Sequence, residues 1–503
     1  MKLDELLKKI RVLDDRELAL ENDGGKNPEL SRVVYDNRKI AAGSRGVVFA
    51  CVKGERADGH AFAPRAVENG AEALLCERKL DLDVPQLIVQ NVRSYMGALA
   101  SALHGSPSEK MTMIAVTGTN GKTTTAYITR SILRASGAVA GMLGTIVYDD
   151  ARSEAYADRT TPEGPDVQDA LARMVENGAA YCVMEASSHG LHQGRLKGCR
   201  FDRMGFSNLT PEHLEYHIDM ENYYRAKRLL FTDYAKEGWQ CAVNVDDAYG
   251  RRLFDEFSAR MRGFSLGDAR ENLYTAKVLG MDVTGTTMDV SFADGAMLRL
   301  KAPFIGDYNA SNVLEALAIA DSLGIDREVV RNGIEHCPQV PGRLERYTMG
   351  NGVTVFVDYA HSSDGVEKIL TALRPLTQGK LSILWGAGGD RTPTKRPVVG
   401  EIMARYADFT VVTTDNPRSE RPEDIARGVE SGITGFRKDA AYRVILDRRE
   451  AICFALDRAE SGDVVIVAGK GPERTIEYAT HSVPFSDNDT VLEWARERGI
   501  EVV

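Results

Sequence analysis

Short apolar runs, among them Gly46-Val47-Val48-Phe49-Ala50 and Gln86-Leu87-Ile88-Val89, punctuate the first part of the chain, with turn residues and helical stretches between them. Runs of this length bounded by turn signals read as buried strands, so residues 1–106 form a small α/β unit. His104-Gly105-Ser106-Pro107-Ser108 has the composition of a linker. A strand at Met113-Ile114-Ala115-Val116 then runs into a Gly-rich loop, followed by the helix Ala126 to Ala135. Strands at Tyr181 to Met184 and Gln240 to Val243 alternate with helical segments, the pattern of a parallel sheet covered by helices. A nucleotide-binding α/β domain is therefore expected over 107–338. Pro and Gly density rises at Cys337-Pro338-Gln339-Val340-Pro341-Gly342. Strands at Val353 to Val357, Leu381 to Trp385, Phe409 to Thr413 and Val464 to Ala468 then build a third α/β domain over 339–503.

Composition narrows the class. With 503 residues, 43% hydrophobic and 27% charged, the chain is a soluble globular protein of several domains. A formal charge of -10 argues against a large nucleic-acid footprint, because phosphate surfaces need an excess of Lys and Arg. The seven cysteines stand singly with no Cys-x-x-Cys pair, which points away from zinc and toward reduced, mostly buried thiols. The N-terminus is amphipathic and charged, and no apolar run approaches the ~20 residues that span a bilayer. No membrane insertion and a cytoplasmic location are the expectation.

The strongest chemical signal is Thr117-Gly118-Thr119-Asn120-Gly121-Lys122-Thr123-Thr124, between a strand and a helix. Backbone N–H groups and the helix N-terminus there cradle phosphates, Lys122 reaches the outer phosphates, and Thr123 offers a hydroxyl to Mg²⁺. Val116 stands where a standard P-loop has its first Gly. Glu185 follows directly on a strand, so its carboxylate emerges at the carboxyl edge of the sheet, where it is placed to hold Mg²⁺; a capping or surface role is the alternative. Taken alone, His213 reads as structural and Lys227 as one more exposed charge on the helix Met220 to Phe231.

Together these residues resemble the Mur ligase family through all three domains. Thr117 to Thr124 matches its ATP loop, Glu185-Ala186-Ser187-Ser188-His189-Gly190 its second motif, and Asn208-Leu209-Thr210-Pro211-Glu212-His213-Leu214-Glu215-Tyr216-His217 its third. Gly306-Asp307-Tyr308-Asn309-Ala310-Ser311-Asn312 resembles the adenine-side loop, Gly342 to Glu345 the hinge, and Asp358-Tyr359-Ala360-His361 the opening of the third domain. The resemblance implies a UDP-binding N-terminal domain, a central P-loop-type parallel sheet and a Rossmann-like C-terminal domain that binds an amino acid. Gly388-Gly389-Asp390-Arg391 and Asp415-Asn416-Pro417-Arg418 point to the branch adding diaminopimelate or lysine. Arg418 favours the former, because a guanidinium grips a distal carboxylate and repels lysine's distal ammonium.

By the same resemblance, the enzyme is an ATP-dependent ligase of peptidoglycan synthesis, using ATP, Mg²⁺, UDP-N-acetylmuramoyl-L-alanyl-D-glutamate and meso-diaminopimelate, and is a monomer. Lys122, His213 and Lys227 are implied as catalytic. Gly118 to Thr124, Asn309, Asn312, Arg343 and Asp358 contact ATP. Thr123 and Glu185 hold one metal ion, and His213 and a carbamylated Lys227 a second. Asp36, Asn37, Arg38, Thr160, Thr161, Ser187, Gln193 and Arg195 bind the uridine nucleotide and its peptide. Arg391, Asp415, Asn416, Arg418, Gly469 and Glu473 bind the amino acid. Four positions depart from the usual pattern: Asn37 replaces Ser, Pro472 replaces His, and Ser362-Ser363 replaces Thr-Pro. A ligase of the same branch adding L-lysine or another diamino acid, a folylpolyglutamate synthase and a non-catalytic ATP-binding relative are the competing readings. The first-domain Asp-x-Arg element and the Asp415 to Arg418 run speak against the synthase. The joint presence of Lys122, Thr123, Glu185, His213 and Lys227 speaks against the non-catalytic relative.

Overall fold

The computed structural model describes residues 1–13, 19–21, 25–54, 57–268 and 270–503, which fall into two compact units. The first comprises Met1–Thr275, Ser291–Ala296 and Ser311–Gly333; the second comprises Ala276–Val290, Met297–Ala310 and Ile334–Val503. Among the described residues no helix is long and apolar enough to cross a membrane.

The N-terminal part of the first unit is a five-stranded sheet with spatial order Ala19–Glu21, Gln86–Ile88, Ala71–Cys76, Val47–Ala50, Arg32–Val34; only the first pair is antiparallel. The helix Val92–Leu103 packs on it with Tyr95, Met96 and Leu99 buried. Farther along, six parallel strands lie side by side: Met261–Leu266, Ala235–Asn244, Phe201–Phe206, Thr112–Thr117, Tyr181–Glu185 and Ala140–Leu143. Two short strands, Val147–Asp149 and Glu154–Tyr156, extend the edge antiparallel. Met113 to Thr117 are all buried, as expected of a parallel strand covered on both faces.

The second unit carries a six-stranded sheet with order Glu345–Thr348, Thr354–Asp358, Val464–Ala468, Leu381–Trp385, Phe409–Val412, Tyr442–Val444. It is parallel apart from its first pair. Apolar cores fill both faces, one around Phe356, Ile383 and Ile466, the other around Val355, Leu384 and Trp494. Six of the seven cysteines are buried, Cys453 is half-buried, and none is paired. The helix expected from Ala126 begins earlier, spanning Lys122–Ala135, and the strand expected to end at Met184 includes Glu185.

Candidate active site

The phosphate loop follows the central strand Thr112–Thr117 and turns into the helix through two glycines with positive φ, Gly118 at 149° and Gly121 at 93°. A Cβ on Gly118 would lie 1.9 Å from Ser207 Oγ, and one on Gly121 would lie 2.3 Å from Asn312 Oδ1, so neither position takes a side chain. Asn208 braces the loop, its side-chain oxygen accepting from the Asn120 N–H at 3.0 Å and its carbonyl from the Thr119 N–H at 2.8 Å. Lys122 Nζ curls back onto the carbonyls of Gly118 at 2.9 Å and Thr119 at 2.8 Å.

Lys227 is not the exposed charge its residue type suggested. It is 1% exposed, and Nζ donates to the same Gly118 carbonyl at 2.7 Å. Burial, reinforced by neighbouring Lys122, drives its proton affinity far below that of a free lysine. His213 adopts φ 58° one residue before the short helix Leu214–His217, and its ring meets that of His189 edge-on at 4.9 Å. Burial likewise lowers its pKa.

Glu185 joins two groups of residues. Its buried carboxylate accepts from the Thr123 hydroxyl at 3.0 Å and from Thr145 through the amide at 2.8 Å and the hydroxyl at 2.9 Å. Its main-chain carbonyl accepts from the Thr161 hydroxyl at 2.8 Å. Thr161 in turn receives from the Ser187 amide and hydroxyl, each at 3.0 Å, and Arg195 donates to the Thr161 carbonyl at 3.0 Å and to Gln193 at 2.7 Å. Thr160 bonds Thr145 at 3.0 Å. Five of the predicted peptide-binding positions therefore sit together beside the phosphate loop. Sequence reasoning passed over Thr145, which orients Glu185, and Glu163, whose buried carboxylate is flanked by Arg93, Arg159 and Arg195. The spacing of Glu163, two residues beyond Thr161, was the available signal.

Asp36 and Arg38 form a bidentate pair, with Arg38 Nη2 at 2.7 Å and Nε at 2.9 Å from the carboxylate. Asn37 opens the 3₁₀ turn between them. Preceding Tyr35 donates to Asp166 on the helix Gly164–Glu176, which sets this turn against the central part of the same unit.

In the second unit, Asp358 ends its strand buried, its carboxylate accepting from the amides of Leu344 and Ala360, both at 2.7 Å. Arg343 stacks over Tyr359 at 4.8 Å, and Asn309 donates to the Ile305 carbonyl at 2.8 Å. Ser362 in place of the usual Thr still caps the following helix, accepting from the Gly365 N–H at 3.1 Å. The amino-acid positions also gather. A Cβ built on Gly388 would lie 3.1 Å from Arg418 Nη1, 3.7 Å from Arg391 Cγ and 3.9 Å from Asp415 Oδ2. Asn416 donates to Glu473 at 2.8 Å, and Gly469 donates to the Asp358 carbonyl at 3.1 Å. Arg418, at φ 50°, donates to the Gly389 carbonyl at 2.8 Å and to Glu477 at 3.2 Å. Lys470 and Glu477 belong to this group and were not anticipated, although Lys470 lies inside the Gly469 to Glu473 run.

A glycine-bent loop between a central parallel strand and a helix, with two lysines turned onto it and a buried carboxylate at the sheet edge, defines an α/β nucleotide-binding protein of the P-loop type. Residues 29–104 match the catalytic domain of the Mur ligase family, 116–320 the Mur ligase middle domain and 342–471 the Mur ligase glutamate ligase domain. The chain belongs to the Mur ligase family, with its three-domain architecture. It is 38% identical over 471 residues to a UDP-N-acetylmuramoyl-L-alanyl-D-glutamate--2,6-diaminopimelate ligase of Bacillus licheniformis, covering 92% of this chain and 94% of that one. It is 37% identical over 499 residues to a protein of the same name from Syntrophomonas wolfei, covering 99% of each. A solved structure of a ligase of that name shares 29% identity and a TM-score of 0.65 over 93% of this chain and 95% of the other. The MurF ligase of Thermotoga maritima in complex with ADP, 20% identical, shares the fold with a TM-score of 0.63 over 93% and 97% of the two chains.

Proposed function

We propose that this chain joins meso-diaminopimelate to the D-glutamyl side-chain carboxylate of UDP-N-acetylmuramoyl-L-alanyl-D-glutamate, consuming ATP, as a cytoplasmic step of peptidoglycan precursor synthesis. The observation that carries the reading is Glu185. Its side chain serves the phosphate loop while its carbonyl anchors the Thr161, Ser187 and Arg195 cluster, so a carboxylate held by that cluster lies next to the ATP phosphates.

The carboxylate attacks the γ-phosphorus, ADP leaves, and the incoming amine displaces phosphate from the acyl phosphate. Two anions must approach, so charge neutralisation dominates the barrier. Lys122 follows the transferred phosphoryl group, and Arg195 orients the attacking carboxylate. Thr123 and Glu185 fit Mg²⁺, because a hydroxyl and a carboxylate 3.0 Å apart both offer the hard oxygen donors that this ion takes. Magnesium, when bound, would supply positive charge to the phosphates. Burial makes Lys227 give up its proton more readily than a free lysine, which favours the carbamylation by CO₂ that needs a neutral amine, and His213 lies close enough to feel the charges of both Lys122 and Lys227. Asn309, Asn312, Arg343 and Asp358 take the roles on ATP that the family motif gives them, and Asp36, Asn37 and Arg38 those on uridine. Arg391 and Arg418 receive the distal carboxylate of diaminopimelate, while Asp415 and Glu473 favour its ammonium.

The test is to incubate the protein with ATP, Mg²⁺ and the UDP-linked dipeptide, adding meso-diaminopimelate or L-lysine separately, and to weigh the nucleotide product. A tripeptide formed only with diaminopimelate is expected. Product only with lysine would replace the substrate, and amide formation by Lys122→Ala at the wild-type rate would remove the role given to the loop.

A further inference from the structure

We propose that Lys470 is a positioning residue for the amino-acid substrate, fixing the carboxylate of Glu473 and the amide of Asn416 in the orientation that receives the substrate's ammonium; this rests on the diaminopimelate reading above. Lys470 lies just beyond the strand Val464–Ala468 and has no exposed surface. A buried ammonium is costly unless each of its three donors finds a partner. Here they do: Glu473 Oε2 at 2.9 Å, Asn416 Oδ1 at 3.0 Å and, more loosely, Asp415 Oδ1 at 3.4 Å.

The partners come from two different loops, one after Val464–Ala468 and one after Phe409–Val412, with the strand Leu381–Trp385 between them in the sheet. Lys470 is not needed to tie these loops together. Behind it the fully buried Arg448 donates to the carbonyls of Thr414 at 3.2 Å and Ala468 at 3.0 Å and pairs with Asp487 at 2.7 Å, linking the loops through their main chains. What Lys470 adds is side-chain orientation. Asn416 Oδ1 accepts from Lys470 and from the Glu477 amide at 3.0 Å, which turns its NH₂ toward Glu473 at 2.8 Å. Glu473 thus receives both Lys470 and Asn416 on Oε2, and among the described residues nothing donates to Oε1.

Charge points the same way. Lys470 meets the carboxylates of both Asp415 and Glu473, so an incoming ammonium can join the set and share Glu473 with it. Arg418 stands near Asp415 across Gly388 for a carboxylate. Such a set suits an amino acid whose far end carries both groups.

The test is steady-state kinetics of wild type, Lys470→Met and Lys470→Arg, varying diaminopimelate, ATP and the UDP-linked dipeptide in turn, with thermal midpoints recorded. Lys470→Met is expected to raise the KM for diaminopimelate about tenfold, the loss of roughly one charge-assisted hydrogen bond, with the other two KM values within about twofold. Lys470→Arg keeps the charge but misplaces its donors, so it raises the same KM while holding the thermal midpoint. In a Glu473→Gln background, Lys470→Met adds no further rise, because the group it positions has already lost its charge. Equal rises in all three KM values, additive effects with Glu473→Gln, or an unchanged diaminopimelate KM in a folded Lys470→Arg would overturn the inference. A wild type inert toward diaminopimelate would overturn the substrate reading and this inference with it; an active wild type with indifferent Lys470 variants would overturn this inference alone.

Discussion

Ile218 has φ 73°, and a β-branched side chain in that region crowds its own backbone. It is 79% exposed, so little burial compensates. Ile218→Gly is expected to stabilise the protein by about 1 kcal/mol, the relief of strain less the added chain freedom, read as a higher urea midpoint with unchanged slope. A lower midpoint would show that Ile218 is not strained. Lys227 is the residue whose environment matters most to the proposed chemistry. Lys227→Arg keeps the positive charge but cannot deprotonate, and phosphate release is expected to fall by about two orders of magnitude or more; an arginine variant of near-normal rate would exclude carbamylation. The burial of Lys227 was legible in retrospect. Tyr223, Lys227 and Leu230 stand at i, i+4 and i+7 on the helix Met220–Thr232, along the stripe that faces the core, whereas reading the lysine by type alone placed it in water. Lys470 offered no such periodicity, since it sits between glycines in a loop.

At the scale of elements, strand and helix identities followed from buried runs and from glycine punctuation, and their ends were set by contacts that lie far away in sequence. Glu185 belongs to its strand because its main chain still pairs with Val116 of the central strand, and its buried carboxylate is tolerated there because Thr123 and Thr145 donate to it; none of these partners is a local neighbour. The helix after the phosphate loop starts at Lys122 because positive-φ Gly121 turns the chain there, a conformation that periodicity does not reveal. The helix Ser363–Leu373 depends on one hydroxyl for its start. Ser362→Ala leaves the Gly365 amide without that acceptor, and an equilibrium unfolding curve is expected to show a loss of about 1 kcal/mol, while Ser362→Thr is nearly neutral. Equal stability of the alanine variant would mean that another acceptor takes over the cap.

For the molecule as a whole, stability carries a pH dependence from Glu315, which is fully buried behind the phosphate-loop helix with Thr125 donating to it at 3.0 Å. Burial raises its pKa from an ordinary 4.5 to about 8. The folded chain therefore keeps a proton that the unfolded chain releases, so this contribution to stability is complete below about pH 4.5 and is lost as pH rises to about 8. Glu315→Gln, neutral throughout, is expected to flatten the fall in unfolding free energy over that window; identical slopes in the two proteins would refute the assignment. The carboxyl of Glu315 was not legible in the sequence, because the helix Asp307–Ser322 buries Val313, Leu314, Ala316 and Leu317 around it and so shows no stripe that marks an inner face. The unpaired cysteines give the protein a built-in clock. A thiol reagent added to the native state meets only Cys453 in part, so the other six thiols become reactive only as the structure around them opens. Because Cys76 lies in the N-terminal sheet and Cys51 in the apolar core beside it, Cys182 and Cys241 in the central sheet, and Cys337 in the second unit, the order in which sulfurs become modified during slow denaturation would record which part of the chain yields first.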